Sequence, residues 1–488
     1  MYHKACWSTW TPGVQIGFAA TKGSRGPNGP KTCHTAVVRD QTFISSYDTS
    51  SGTVRGGAGG RGAAPGGWAR RGADSNPDKP PGESRPGVVV VVPSWGQRCG
   101  VAEYTRFLVD ELRGQGFAAE VARGQEDEVY NLVRRGGFRV VHVQFEYQLF
   151  KPTGLRHLIR QLKARGLRVI ATVHDFLPGQ VAANRLIKDE FDAVIVHSAR
   201  LREELARIGV PLERIHVIPM GCPRVVLGDE GATRAALGVG PGPAIGYFGF
   251  ALPQKGIIEL AVAAKALRET VYPHLKVFAF AAPAFFGTGY AAELAACLAG
   301  VGLADGLVLR TEYLPVQDVA NALHAMDINV LPYKEMAYVG TSSAVRVLMS
   351  AGKPIITTDI PYFDDLDGEV YKIPSADPAH IAEAVLYLMA NPAKREDMVY
   401  RIRRYVEANN WTRIAGRHAR LYAHLAATAS GTQPWDPGLH AHDKAGYPQA
   451  AGWVEAADAA WTGDGQPRVA AVPDEVWERV VRRFGKRG

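Results

Sequence analysis

Cysteine is scarce, with five in 488 residues, at positions 6, 33, 99, 222 and 297. No two of them have the spacing of a metal site or a redox pair, and an odd number argues against a disulfide framework. A reducing compartment is the expectation. Long apolar runs are also missing. No stretch approaches the roughly 20 consecutive apolar residues that cross a bilayer, and residues 1–11 lack the apolar centre of a secretory signal. These absences point to a cytoplasmic protein, with a peripheral position at the inner membrane surface as the alternative. Excess charge is confined to one end. The formal net charge is +8, but residues 1–86 hold eleven lysines and arginines against five acids. The remainder is close to neutral, so no broad nucleic-acid-binding face is implied.

Residues 1–86 also lack core-forming sequence. Segments 56–67 and 76–82 are dominated by glycine and proline, and such composition buries too little apolar surface to fold. This leader reads as a start-site artefact or dispensable tail in preference to a basic interaction arm. A chain beginning at Gly87 is therefore expected to fold and act normally. Residues 428–488 are similarly irregular, with one helix expected at 473–484, where Val476, Val480 and Val481 fall at helical spacing.

Between these ends the pattern is α/β. Residues 88–92 are five consecutive valines, the signature of a strand buried on both faces of a parallel sheet. Further strands are expected at 138–143, 167–173, 193–196 and 215–218, alternating with helices at 105–115, 155–165 and 200–208. A Gly/Pro linker at 238–243 precedes a second series. Its strands are expected at 244–247, 275–280, 307–309 and 328–331, and its helices at 257–269, 290–300, 315–325, 377–390 and 394–408. The prediction is two Rossmann-like doubly wound domains, 87–235 and 236–410, facing a central cleft. A terminal helix, 411–427, is expected to cross back to the first domain. Helix 155–165 sets Leu155, Leu158, Ile159 and Leu162 on one face and Arg156, Arg160, Lys163 and Arg165 elsewhere. A crossover helix burying its stripe on the sheet is preferred to one lying on anionic lipid.

Two stretches carry chemistry. Tyr338-Val-Gly-Thr-Ser-Ser343 opens a helix that Gly352 ends, with Pro354 beyond it. Gly340 allows close backbone approach, Thr341, Ser342 and Ser343 are helix-capping types, and a helix N-terminus receives anions such as phosphate. Gly249-Phe-Ala-Leu-Pro-Gln-Lys-Gly256 likewise follows a strand and opens a helix. Lys255 stands where a cation meets a diphosphate. Two such elements in one domain suit a nucleoside diphosphate, although each alone is compatible with an ordinary solvated helix start.

The chain resembles retaining GT-B glycosyltransferases of family 4 (glycosyl transferases group 1) over about residues 88–427. Ser94-Trp-Gly-Gln-Arg-Cys-Gly-Val-Ala-Glu-Tyr-Thr105 is similar to that family's first glycine loop. Val141-His-Val-Gln-Phe-Glu-Tyr-Gln-Leu-Phe150, Thr172-Val-His-Asp175, Val196-His-Ser198, Ile218-Pro-Met-Gly221 and Lys255-Gly256 follow in the family's order. The resemblance implies a first, acceptor-binding domain and a second, nucleotide-sugar-binding one. It implies transfer of a sugar from a nucleotide-diphosphate sugar to an acceptor hydroxyl, with retention, no metal and no cofactor, the nucleotide sugar being a substrate. The acceptor is a glycan, a lipid-linked molecule or a small molecule.

The resemblance assigns His174 to the donor sugar and Lys255 to the diphosphate, with Gly100, Gly249, Gly256, Gly340, Thr341, Ser342 and Ser343 completing the donor site. From position alone, Tyr313 is a candidate to stack on the base. Arg98, Glu103 and Glu146 are candidates for the acceptor. Structural roles stand beside these: a backbone-bonded strand-end histidine, a helix N-terminal acid favoured by the dipole, a solvated loop acid and a solvated arginine. Three positions depart from the family pattern. Phe250 stands where an arginine is usual, and Val339 and Val347 stand where a glutamate pair is usual. These departures keep open a non-catalytic relative that binds sugar or nucleotide only.

Overall fold

The computed structural model describes residues 87–136, 138–284, 289–428 and 474–484. The expected leader and nearly all of the expected irregular tail lie outside the described residues.

The first half runs β1 (Gly87–Val91), α1 (Gly100–Gly114), β2 (Ala118–Ala122), α2 (Glu126–Gly136), β3 (Val140–Phe145) and α3 (Pro152–Ala164). It continues with β4 (Arg168–Val173), β5 (Asp175–Phe176), α4 (Val181–Glu190), β6 (Ala193–Val196), α5 (Ala199–Arg207) and β7 (Ile215–Val217). Six of these strands form one parallel sheet in the order β2-β1-β3-β4-β6-β7. The valine run lies at its centre with each of Val88–Val92 fully buried, as a strand covered on both faces must be.

The second half runs α6 (Glu230–Ala236), β8 (Ala244–Ala251), α7 (Ile257–Thr270), β9 (Lys276–Pro283), α8 (Tyr290–Val301) and β10 (Leu307–Arg310). Then come α9 (Val316–His324), β11 (Ile328–Leu331), β12 (Val339–Gly340), α10 (Ser343–Ala351), β13 (Ile355–Thr358) and β14 (Tyr371–Ile373). The helices α11 (Pro378–Ala390), α12 (Pro392–Ala408), α13 (Trp411–Thr428) and α14 (Asp474–Phe484) complete it. Its parallel sheet has the order β10-β9-β8-β11-β13-β14. The strand order reverses between β8 and β11. In such sheets the crevice at the reversal, beyond the carboxyl ends of the strands, is where ligands bind.

Helix α1 begins at Gly100, five residues before the expected start, because the glycine loop itself runs into the helix; Cys99 takes the N-cap position without a side-chain cap. The sequence pattern passed over β2, which is an alanine-rich edge strand, and the short helices α2 and α4. Helix α3 buries Leu155, Leu158, Ile159 and Leu162 on the sheet. Arg156 and Arg160 pair with Glu190, and Lys163 pairs with Asp192. This is the crossover arrangement that was preferred. No helix among the described residues is long and apolar enough to cross a membrane.

Helix α13, from the end of the second half, packs on α1, β1 and β3 of the first. Trp411 stacks on Phe107 with centroids 5.6 Å apart and meets Tyr104 edge-on at 4.9 Å. Helix α14 lies on α7 and α11, with Val480 fully buried in the second half's core.

Candidate functional site

The two sheets meet through their loops, and the contacts coincide with the sequence-predicted site. The two-residue strand β12 pairs antiparallel with β5, setting Gly340 opposite Asp175 and Val339 opposite Phe176. A Cβ on Gly340 would strike the Asp175 carboxylate and lie 2.6 Å from the Tyr362 ring, so glycine is required for this approach. Tyr362 donates a hydrogen bond to Asp175 Oδ1 at 2.9 Å. Val339, in the place of a family glutamate, lies against the apolar core of the first half. Val347, in the place of the other, is buried in the core of the second. Phe250, in the place of the arginine, faces Gly100, where an added Cβ would be 4.0 Å from its ring. The two valines replace a polar group with apolar packing.

Lys255 closes the short 3-10 turn Pro253–Lys255. Gly256 follows with φ +70°, and a Cβ there would collide with the Pro332 carbonyl. The Lys255 ammonium lies 3.6 Å from the Tyr333 ring centroid and 5.4 Å from that of Tyr362, a cation–π setting. Burial pushes its pKa down to about 7, with the Asp175 carboxylate opposing the shift. Burial raises Asp175 to about 6, against the Tyr362 hydrogen bond and Lys255. Gly249 sits nearby on β8, where a Cβ would be 2.9 Å from the Tyr247 hydroxyl.

The start of α10 faces the same region. Ser342 is its N-cap and accepts from the Val345 amide. Ser343, the first helical residue, is exposed. The Thr341 hydroxyl is buried and has no hydrogen-bond partner among the described residues. The Ser342 amide donates to the Tyr362 carbonyl at 3.4 Å, and the unsatisfied buried hydroxyl of Thr341 at this helix N-terminus is a site prepared for an anion or another polar ligand. Arg346, on the same helix, is fully buried and pairs with Asp365, and its guanidinium lies 5.0 Å from the Tyr405 ring centroid on α12. It anchors α10 from behind.

The first half contributes three groups. Arg98 is exposed in the glycine loop and lies 5.8 Å from the ring centroid of Tyr313, which comes from the second half. Glu103 is engaged by Arg106 through two hydrogen bonds of 2.6 and 3.2 Å. Glu146 accepts from the Gln148 amide at 2.8 Å, and burial, with a smaller contribution from Asp175, raises its pKa to about 7.

His174 is buried at the end of β4. Its Nε2 lies 3.0 Å from the Gln144 carboxamide oxygen and its Nδ1 lies 3.3 Å from His197 Nε2. The structure therefore brings Lys255, Gly249, Gly256, Gly340 and Thr341–Ser343 together with Asp175, one residue past His174. Arg98, Gly100 and Tyr313 form a second junction with Phe250. Sequence reasoning did not single out Asp175, Tyr333, Tyr362, His197 or Arg346. Asp175 and His197 lie inside the quoted motifs. The tyrosines carry no signal apart from lying in loops after strands.

Residues 88–223 match the family model Glycosyltransferase Family 4, and residues 242–391 match Glycosyl transferases group 1. Each match takes in one of the two sheets. The chain has the GT-B fold. Among solved structures, the GT-B chain is similar to Anabaena HepE in complex with UDP, at 14% identity and a TM-score of 0.57, covering 69% of this chain and 99% of that one. It is also similar to sucrose-phosphate synthase from Thermosynechococcus elongatus, at 16% identity and a TM-score of 0.58, covering 70% and 100%. At these identities the likeness is one of fold. A curated relative, phosphatidyl-myo-inositol mannosyltransferase from Mycobacterium leprae, is 30% identical over 139 residues, 27% of this GT-B chain and 36% of the relative. The matched stretch thus spans little more than a third of that relative.

Proposed function

We propose that the protein transfers a sugar from a nucleotide-diphosphate sugar to an acceptor hydroxyl, with retention at the anomeric carbon and without a metal. The observation that carries this reading is the convergence of Lys255 with the open N-terminus of α10 and the unpartnered Thr341 hydroxyl. They meet at the carboxyl end of the second sheet, in a chain whose halves match two glycosyltransferase models. HepE binds UDP and UDP-glucose, which supports a nucleotide sugar as the donor class. The acceptor is taken to be a glycan, a lipid-linked molecule or a small molecule, reached from Arg98, Glu103 and Glu146, and Tyr313 is assigned to the base. The work is assigned to the cytoplasm, with peripheral membrane contact as the one alternative.

Sugar transfer passes through an oxocarbenium-like transition state while negative charge grows on the departing diphosphate. Lys255 and the amides of Thr341 and Ser343 offset that charge. Gly249, Gly256 and Gly340 let the backbone come close enough for them to do so. With its pKa at about 7, Lys255 is about half protonated at pH 7 in the free protein, so it takes up the remaining fraction of a proton as the diphosphate arrives. His174 faces the sugar end. Lys255→Ala is expected to lower turnover by about 3 kcal/mol, or 10²–10³-fold, measured as consumption of UDP-glucose and GDP-mannose. Unchanged turnover would remove the phosphate role.

One observation favours a second reading, in which the chain binds nucleotide or sugar without turnover. Val339 and Val347 are engaged in apolar packing, and neither their side chains nor that of Phe250 can hydrogen-bond a ribose or a phosphate. A panel of UDP-, GDP-, dTDP- and ADP-sugars decides between the two: thermal stabilisation without consumption favours binding only.

A further inference from the structure

Behind His174, two chains of hydrogen bonds run through the core of the first half, and each ends on a backbone carbonyl. In the first chain, His197 Nδ1 lies 3.0 Å from the Ile218 carbonyl oxygen, and His197 Nε2 lies 3.3 Å from His174 Nδ1. A carbonyl oxygen only accepts, so His197 carries its proton on Nδ1. Its Nε2 is then a bare acceptor, and the proton between the two rings belongs to His174 Nδ1. That leaves His174 Nε2 bare.

The second chain starts on α13. His418 Nδ1 lies 2.9 Å from the Ile414 carbonyl oxygen, so its Nε2 accepts from the Tyr104 hydroxyl at 3.2 Å. Tyr104 also shares a hydrogen bond with Thr172. With the tyrosine proton committed to His418, Thr172 must donate. Thr172 Oγ1 in turn accepts from His142 Nε2 at 2.8 Å, and His142 Nδ1 accepts from the Tyr422 hydroxyl at 2.7 Å.

Gln144 lies between the chains. Its oxygen is 3.0 Å from His174 Nε2, and its nitrogen lies over the His142 ring, 3.3 Å from Nε2 and 3.4 Å from Nδ1. In that orientation two acceptors face each other at His174, while the proton of His142 Nε2 stays with Thr172. Turned end for end, the carboxamide donates to His174. The first chain demands this reversal, and carboxamide orientation is assigned from the hydrogen-bond network. The alternative is a second proton on His174 or His197. Burial opposes it, holding both rings well below the usual histidine range.

We infer that His197 and Gln144 are positioning residues that hold His174 as the neutral Nδ1–H tautomer, so that at the sugar end of the site it acts only as a hydrogen-bond acceptor. The ligand group that suits such a nitrogen is a hydroxyl able to donate, as on a hexose, and a carboxylate or phosphate oxygen does not suit it. This part rests on the sugar-transfer reading; the tautomer assignment does not. On binding, a sugar hydroxyl replaces the Gln144 amide at Nε2 without a change of protonation. No proton is delivered to the departing diphosphate from His174.

The test uses the full chain, uniformly labelled with 15N, and long-range 1H–15N correlation of the histidine rings at pH 7. His174, His197 and His418 are expected as Nδ1–H forms and His142 as Nε2–H, although free histidine favours Nε2–H. An Nε2–H or doubly protonated His174 overturns the inference. His197→Leu removes the acceptor and is expected to release His174 to the Nε2–H form. Turnover of UDP-glucose or GDP-mannose, whichever the wild type consumes, should then fall about 10- to 100-fold with little change in the dissociation constant of the matching nucleoside diphosphate. His197→Gln, whose carboxamide oxygen can take the place of Nε2, is expected to restore the Nδ1–H signal and most of the rate. An Nδ1–H His174 that persists in His197→Leu, or a rate loss that His197→Gln does not recover, overturns the positioning role. If neither sugar is consumed by the wild type, the transfer reading falls, and the ring spectra still decide the tautomer.

Discussion

Lys255 keeps a cation in reserve. Between Tyr333 and Tyr362 its ammonium is poorly solvated, and its pKa falls to about 7. A diphosphate beside it favours the charged form and returns the pKa towards the ordinary lysine value. Binding of UDP or GDP at pH 8 is therefore expected to take up protons, visible as a calorimetric enthalpy that changes with the ionisation enthalpy of the buffer. Lys255→Met should abolish the uptake. The same shift governs stability. Above about pH 7 the unfolded chain holds the lysine proton more tightly than the folded one, so this group makes stability rise with pH between about 7 and 10. Lys255→Met should flatten that slope in urea titrations at pH 7, 8.5 and 10. The sequence marked Lys255 by its place before Gly256. Its tyrosine surroundings come from loops about 80 and 110 residues further along the chain, and only folding supplies them.

Among elements, the strands were the most legible, because a strand buried on both faces must be largely apolar: the valine run announces itself, and Ile328–Leu331 does so despite its buried Asn329. The half-exposed edge strand β2 and the short β14 lack that requirement, and so lack the signal. Helix α10 was legible at both ends, from Ser342 at its cap to Gly352, where φ is +68°. Helix α13 was legible as a helix that crosses back to the first half, but the side chains it meets there were not. Trp411 locks it to α1 through Phe107 and Tyr104, and it carries His418 and Tyr422 into the core of the first half. Trp411→Ala is expected to cost about 3–5 kcal/mol, read from the shift in urea midpoint.

At the scale of the whole molecule, the two sheets are joined by contacts that also line the candidate site. Asp175 takes a hydrogen bond from Tyr362, and β5 pairs with β12. These are small contacts, of the kind that loops can exchange for a ligand. Gly340→Val is expected to break the β5–β12 pairing, because its Cβ would strike Asp175. The expected result is a larger radius of gyration by small-angle scattering with unchanged far-ultraviolet circular dichroism. An unchanged radius would show that the pairing does not hold the halves together. The valine at position 339 belongs to the same picture. From the sequence it is only a missing carboxylate. In the structure it is apolar surface that seals β12 against the first half's core.

The sequence by itself determined the α/β class, the two successive Rossmann-like halves and the glycine and lysine positions of the candidate diphosphate site. Each of these is a local demand of periodicity, buried strand composition or backbone conformation. Tertiary structure alone decided which groups face one another. It set Asp175 towards Lys255, seated α13 under the first sheet and ran a hydrogen-bond chain through His197 and His174 to Gln144. Those outcomes depend on contacts between residues up to about 300 positions apart, such as Tyr104 and His418, and no local pattern encodes such a pairing.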